Sequence, residues 1–202
     1  PHCVPERCQS IVTHGWAWRK QDERESRVRI RAMTSEPVID TRSYRNLVGR
    51  FATGVTVVTV NDGGEYRAMT ANSFTSVSLD PLLVLICVTR DASMHDLIHE
   101  AGTFAVNILA EDQRPVAEVF ARRGELTAPM GGLPFHVRGS GAPLLSGTLG
   151  WFECEVWREY DGGDHTIFVG RVVDMEFSRP DGEPLLFFGG KYRGIADGPN
   201  GA

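Results

Sequence analysis

Twice this chain sets an Asp beside a Gly-Gly pair between runs of apolar and β-branched residues, at Asn61-Asp62-Gly63-Gly64 and at Asp161-Gly162-Gly163-Asp164. Glycine reaches positive φ without steric cost, so such tetrads close tight hairpins and oblige the flanking strands to run antiparallel. Val55 to Val60 leads into the first turn, and the strand returning from it begins near Tyr66. Thr148 to Tyr160 and His165 to Phe177 flank the second. Leu82 to Val88 is a continuous apolar run, which predicts a strand buried on both faces; Thr103 to Leu109 and Leu185 to Phe188 read as further strands. Three short helices interrupt this series. Tyr44, Leu47, Val48 and Phe51 recur at amphipathic spacing behind Asp40 as N-cap, with Gly54 as the stop. Ser93-Met94-His95-Asp96 resembles a capping box and opens a helix to about Glu100, closed by Gly102. Asp112 to Arg123 forms the third, with Pro115 in its first turn and Gly124 beyond its end. Strands and helices do not alternate and no repeat is visible. A mainly β fold follows, an antiparallel barrel with peripheral helices.

The chain of 202 residues is long enough for one domain to bury roughly 70% of its unfolded surface. A net charge of -5 and a pI of about 5.7 supply no basic footprint for nucleic acid. No apolar run approaches the roughly 20 residues that a membrane-spanning helix needs. The four cysteines, Cys3, Cys8, Cys87 and Cys154, form neither a disulfide framework nor a CxxC metal site, which points to a reducing, cytoplasmic setting. Residues 1–35 differ from the rest: Trp16, Trp18 and a charge-dense run from Arg19 to Arg31 lack sustained periodicity. They read as an N-terminal extension, disordered or of upstream origin, and 36–202 as the folded domain. Residues 125–147 are rich in Gly and Pro, the composition of a long functional loop.

The stretch from Tyr66 to Pro81 carries the chemistry. Met69-Thr70-Ala71-Asn72-Ser73 puts hydroxyls and an amide where a core strand would carry Val or Ile, and buried polar groups need partners. These residues line a polar planar ligand, or they form a polar edge strand facing water; their types alone leave both open. Arg90-Asp91-Ala92-Ser93 lies where a strand gives way to a helix, so free N–H groups and the helix dipole favour a phosphate, with Arg90 and Ser93 adding donors. Asp91 and Asp96 oppose that by placing like charge nearby, and an ordinary capped helix is the plain alternative. His95 and His99, four apart, superficially match a zinc helix, but Asp stands where the signature has Glu and no third ligand is evident, so no metal is expected. His165, opening a long strand after Gly163-Asp164, is a candidate to seat a substrate. Tyr192, after the Gly189-Gly190 hinge, is a candidate to border a ligand at a subunit boundary.

In order, Phe51-Ala52-Thr53-Gly54-Val55-Thr56-Val57-Val58-Thr59, Met69 to Pro81, Phe104 to Leu109, Gly163-Asp164-His165 and Pro184 to Tyr192 resemble the flavin reductase-like family. The resemblance spans about Tyr44 to Ile195. It implies a split β-barrel of the FMN-binding type, homodimeric, binding FMN or FAD. It also implies reduction of that flavin by NADH or NADPH, with the reduced flavin passed to a partner monooxygenase. Under it Met69, Thr70, Ala71, Asn72 and Ser73 lie along the flavin ring and ribityl chain, and Arg90, Ala92 and Ser93 near its phosphate. His165 seats the nicotinamide and Tyr192 borders the flavin. Met94-His95 follows Ser93 where relatives carry a second small hydroxyl residue, a departure at the phosphate contacts. A flavin-dependent oxidase or reductase of another small substrate, and a non-catalytic flavin-binding module, are the alternatives. Because hydride transfer demands positioning more than acid–base residues, no catalytic triad or carboxylate pair is expected.

Overall fold

A computed structural model describes residues 39–122 and 129–195. Twelve strands and three α-helices are present among them. Helix α1 (Thr41–Val48) is capped as expected: Asp40 Oδ1 accepts from the N–H groups of Arg42 and Ser43 at 3.0 and 2.9 Å. The Ser43 side chain, followed by these backbone donors, holds the Asp40 carboxyl below its ordinary pKa. The helix stops at Gly49 rather than Gly54, which instead pairs with Leu186. Its apolar stripe also differs from expectation, since Tyr44, Leu47, Val48 and Phe51 are all exposed within this chain, Leu47 by 74%.

The first Gly-Gly hairpin joins β2 (Thr56–Asp62) to β3 (Glu65–Ala71), with the Asn61 side chain accepting from Gly64 N–H. The second joins β9 (Gly150–Gly162) to β10 (His165–Phe177) in a long ladder with shifts at Val169/Gly170 and Val172/Asp174. With β4 (Thr75–Leu79), β5 (Leu82–Thr89) and β6 (Thr103–Ile108) these form one antiparallel sheet in the order β3-β2-β6-β9-β10-β5-β4. Its two edges, β3 and β4, are consecutive in the chain, so the barrel is split between neighbours joined only by Asn72-Ser73-Phe74. Phe74 sits in that split and stacks on Phe152 with centroids 5.7 Å apart.

One core fills the barrel: Val58, Val60, Val84, Ile86, Val88, Phe104, Val106 and Phe168, plugged by Met94 and Ile98 of α2 (Ser93–Ala101). Burying each large side chain stabilises the fold by about 1.5–3 kcal/mol. Strand β5 is not buried on both faces as its unbroken apolar run suggested. Val84, Ile86 and Val88 are buried, while Leu83, Leu85 and Cys87 on the other face are only half-buried. Helix α2 begins at Ser93, but its N-cap is Ala92 and no side chain caps it, so the expected capping box is absent. Gly102 ends the helix in the left-handed conformation, as read.

A second core lies on the outer face of β2 and β3. There Val55, Val57, Tyr66 and Ala68 pack against α3 (Arg114–Phe120), Phe187 and Tyr192. The expected helix from Asp112 is a 3-10 turn, Glu111–Gln113, followed by α3; its later residues lie partly outside those described. Of the loop expected at 125–147, residues 129–147 are described, and they carry regular structure that its composition did not suggest. It contains a 3-10 turn and the hairpin β7 (Phe135–Val137) and β8 (Pro143–Leu145). Buried Asn107 ties that hairpin to the sheet, donating to Val57 O at 3.1 Å and accepting from Leu145 N–H at 2.7 Å. Strands β1 (Thr53–Gly54), β11 (Leu186–Phe188) and β12 (Lys191–Arg193) form a small separate sheet. These short strands raise the total above the seven expected.

Candidate functional site

Of the predicted site residues, Met69, Thr70 and Ala71 are consecutive on β3, but a strand sends successive side chains to opposite faces. Met69 and Ala71 point to the barrel core, where Ala92 also packs. Thr70 turns outward and donates to Ala117 O of α3 at 2.7 Å. Past the strand's end, Asn72 Nδ2 donates to Thr53 Oγ1 at 3.2 Å, and Thr53 pairs with Phe187, which pairs in turn with Tyr192. Burial pushes the Tyr192 phenol up, and the ring meets Phe187 edge-on. Two groups therefore form on either side of β3: Met69, Ala71 and Ser73 with the barrel, and Thr70, Asn72 and Tyr192 with the outer core. Among the described residues β3 is an edge strand whose outer backbone groups no other strand pairs, and it also borders the split.

At the barrel end of the split the residues converge. Ser73 Oγ accepts from Cys87 N–H and donates to Cys87 O, each at 3.0 Å. Two residues on, Thr89 lies opposite His165 in the β5–β10 ladder, and Arg90 N–H donates to Asp164 O at 3.0 Å. Arg90 Nη2 forms an ion pair with Asp161 Oδ1 at 2.9 Å, and the same oxygen accepts from Gly163 N–H. His165 Nδ1 meets Asp164 Oδ1 at 2.7 Å; this contact, hydrogen bond first and charge second, lowers the Asp164 pKa. Ser73, Arg90, Ala92, Ser93 and His165 thus surround one end of the barrel.

That end has the chemistry of an anion subsite. The start of α2 carries unsatisfied N–H groups and the positive end of the helix dipole, and no side-chain acceptor occupies them, in contrast to Asp40 on α1. Arg90 adds a forked donor beside it. Asp96, read as an opposing charge, accepts from His95 Nδ1 at 2.8 Å. These donors fit a phosphate, and the half-buried Met69 with the open edge of β3 fits a planar ring whose rim alternates donors and acceptors. Neither histidine of α2 faces a shared metal position. His95 Nε2 lies 2.8 Å from Thr166 Oγ1, and His99 Nδ1 lies 2.9 Å from Glu159 Oε1. Among the described residues, no group of three His, Cys, Asp or Glu side chains is placed to hold a metal. Sequence reasoning missed Asp161, Asp164 and Thr53. Asp161 reads only as a turn residue and Asp164 only as part of the Gly163-Asp164-His165 motif, although an Asp directly before His165 is itself a signal for an oriented imidazole.

The domain described as flavin reductase like matches residues 48–196. An NADH-dependent FAD reductase from Streptomyces globisporus is 47% identical over 163 residues, covering 78% of this chain and 87% of that protein. The reductase subunit HsaB of a flavin-dependent monooxygenase from Rhodococcus jostii is 37% identical over 157 residues, covering 78% and 79% respectively. Among solved structures, BorF, the flavin reductase component of a bacterial two-component tryptophan halogenase, superposes with a TM-score of 0.70 at 52% identity, covering 77% of this chain and 98% of that one.

Proposed function

Because the chain belongs to the flavin reductase like domain family, we propose that it is an NADH:flavin oxidoreductase that reduces FMN or FAD and supplies it to a partner monooxygenase. The observation that supports this reading is the meeting, where β5 gives way to α2, of Arg90, the uncapped start of that helix and the turn carrying the His165–Asp164 pair. Arg90, Ala92 and Ser93 hold the flavin phosphate. Met69, Ala71 and Ser73 support the ring and ribityl chain from the barrel side, and Thr70, Asn72 and Tyr192 bound them from the outer side. A bound flavin supplies the hydride acceptor at its ring N5. The protein's own task is to seat the nicotinamide against it and exclude water, and His165, oriented by Asp164, does the seating. NADH as the reductant is supported by the relatives, among them the NADH-dependent FAD reductase at 47% identity.

The same reading makes 36–202 the flavin reductase domain, with 1–35 as an extension preceding the family match. A homodimer is supported by the apolar groups that this chain leaves uncovered: the stripe of α1, Leu79 at 85% and Phe177 at 77% exposed. Cys87 and Cys154 are unpaired thiols, in keeping with a cytoplasmic setting. No described helix is long and apolar enough to cross a membrane. Anaerobic mixing with NADH and excess free flavin tests the activity. Loss of the oxidised flavin absorbance over many turnovers is expected; a bound flavin that NADH leaves oxidised overturns it.

A further inference from the structure

We propose that Asp161 is an internal anion that competes with the flavin phosphate for Arg90, so that filling the phosphate subsite is coupled to the turn carrying His165. The inference rests on the flavin reductase reading above. Arg90 is gripped by both ends of the second Gly-Gly turn. Its guanidinium holds the Asp161 carboxylate at 2.9 Å, and its backbone N–H holds the Asp164 carbonyl at 3.0 Å. Thr89 Oγ1 donates to that same carbonyl at 3.4 Å, directly opposite His165 in the ladder. The Arg90–Asp161 pair is a weak one, since the two side chains are 50% and 81% exposed, and solvent screens a contact of that kind.

A phosphate at the start of α2 carries more charge than a carboxylate and adds bonds to the helix N–H groups, so it draws Arg90 away from Asp161. Asp161 is then left with the Gly163 N–H alone, in a turn whose Gly163 sits at φ 79° and whose Gly162 adds no side chain to resist movement. The other end of that turn is Asp164, which orients His165. Flavin phosphate and nicotinamide seating therefore share one hydrogen-bonded loop, and a ligand that changes the partner of Arg90 biases the loop's position. That differential contact is what coupling between two sites requires.

The test is titration of wild type, Asp161→Asn and Asp161→Glu with FMN, FAD and riboflavin, read by flavin fluorescence. With the competitor neutralised, Asp161→Asn binds FMN and FAD about threefold to fivefold more tightly. Riboflavin, which lacks the phosphate, binds as in wild type, and Asp161→Glu restores the wild-type FMN value. FMN affinity that is unchanged or weakened in Asp161→Asn, or a gain shared equally by riboflavin, overturns the competition. NADH-driven reduction by the wild type reports separately on the flavin reductase reading.

Discussion

The Ser73 hydroxyl satisfies both backbone groups of Cys87, accepting from its N–H and donating to its carbonyl at 3.0 Å. Paired residues of β4 and β5 begin at Thr75 and Leu85, so this one side chain continues the sheet past the point where the chain crosses the split. Ser73→Ala leaves the Cys87 N–H and carbonyl half-buried without partners. The expected loss is about 1–3 kcal/mol of stability, read by denaturant unfolding, together with weaker flavin binding because the split loosens.

Arg90→Ala removes the charged donor beside the start of α2. Charge-assisted hydrogen bonds contribute about 1.5–3 kcal/mol, so FMN and FAD affinity should fall by about 10-fold to 100-fold. Riboflavin affinity should stay near wild type. Fluorescence titration distinguishes this from general damage, which would weaken all three.

His165→Ala should raise the KM for NADH by about fivefold or more, the effect of one lost hydrogen bond, while flavin affinity holds. Asp164→Asn should move the same constant in the same direction by a smaller factor, because the imidazole remains but loses its charged orienting partner. Steady-state kinetics with each substrate varied checks both. Unchanged NADH kinetics in His165→Ala would show that the residue does not seat the nicotinamide.

His99 ties α2 to β9, and its hydrogen bond to Glu159, followed by the Glu159 charge, raises its pKa. A raised folded value means that the folded protein holds the proton more tightly than the unfolded chain. The contribution is therefore fully present below the ordinary histidine value of about 6.5 and is lost as pH rises through the raised value. Compared with His99→Gln, the wild type should gain stability at about pH 6 and lose that advantage by about pH 9. Thermal unfolding across that range is the measurement.

Gly170 lies where β10 crosses Phe104 and Cys154. A Cβ there would come 2.5 Å from Phe104 Cζ and 2.9 Å from Cys154 Cβ. Both neighbours are fully buried in the barrel core, so neither has room to give. Gly170→Ala should cost about 1–3 kcal/mol, read as a lowered denaturation midpoint.

Much of this architecture was legible locally. Asp62-Gly63-Gly64 and Gly162-Gly163 announce their hairpins because the turn conformation is set by the glycines themselves, and β10 spans His165–Phe177 as its composition implied. Asp40 as a cap is equally local, since its acceptor reaches N–H groups two and three residues away. The capping box at Ser93 failed because spacing alone does not say where a helix begins: the first helical residue is Ser93, and the flanking Ala92 has no side-chain acceptor. The short strands β1 and β12 carry no periodicity of their own, for each exists only by pairing with β11.

The sequence by itself determined an antiparallel, hairpin-built barrel and the kind of chemistry its polar strand and Arg90 offer, because turn geometry and side-chain types act over a few residues. Tertiary structure alone decided which of those residues meet. It set Thr70, Asn72 and Tyr192 on one side of β3 and Met69, Ala71 and Ser73 on the other, and it brought Asp161 to Arg90 across 71 positions of sequence. Such meetings depend on strand order and register, which arise from the packing of the whole sheet around its core rather than from any short stretch of chain.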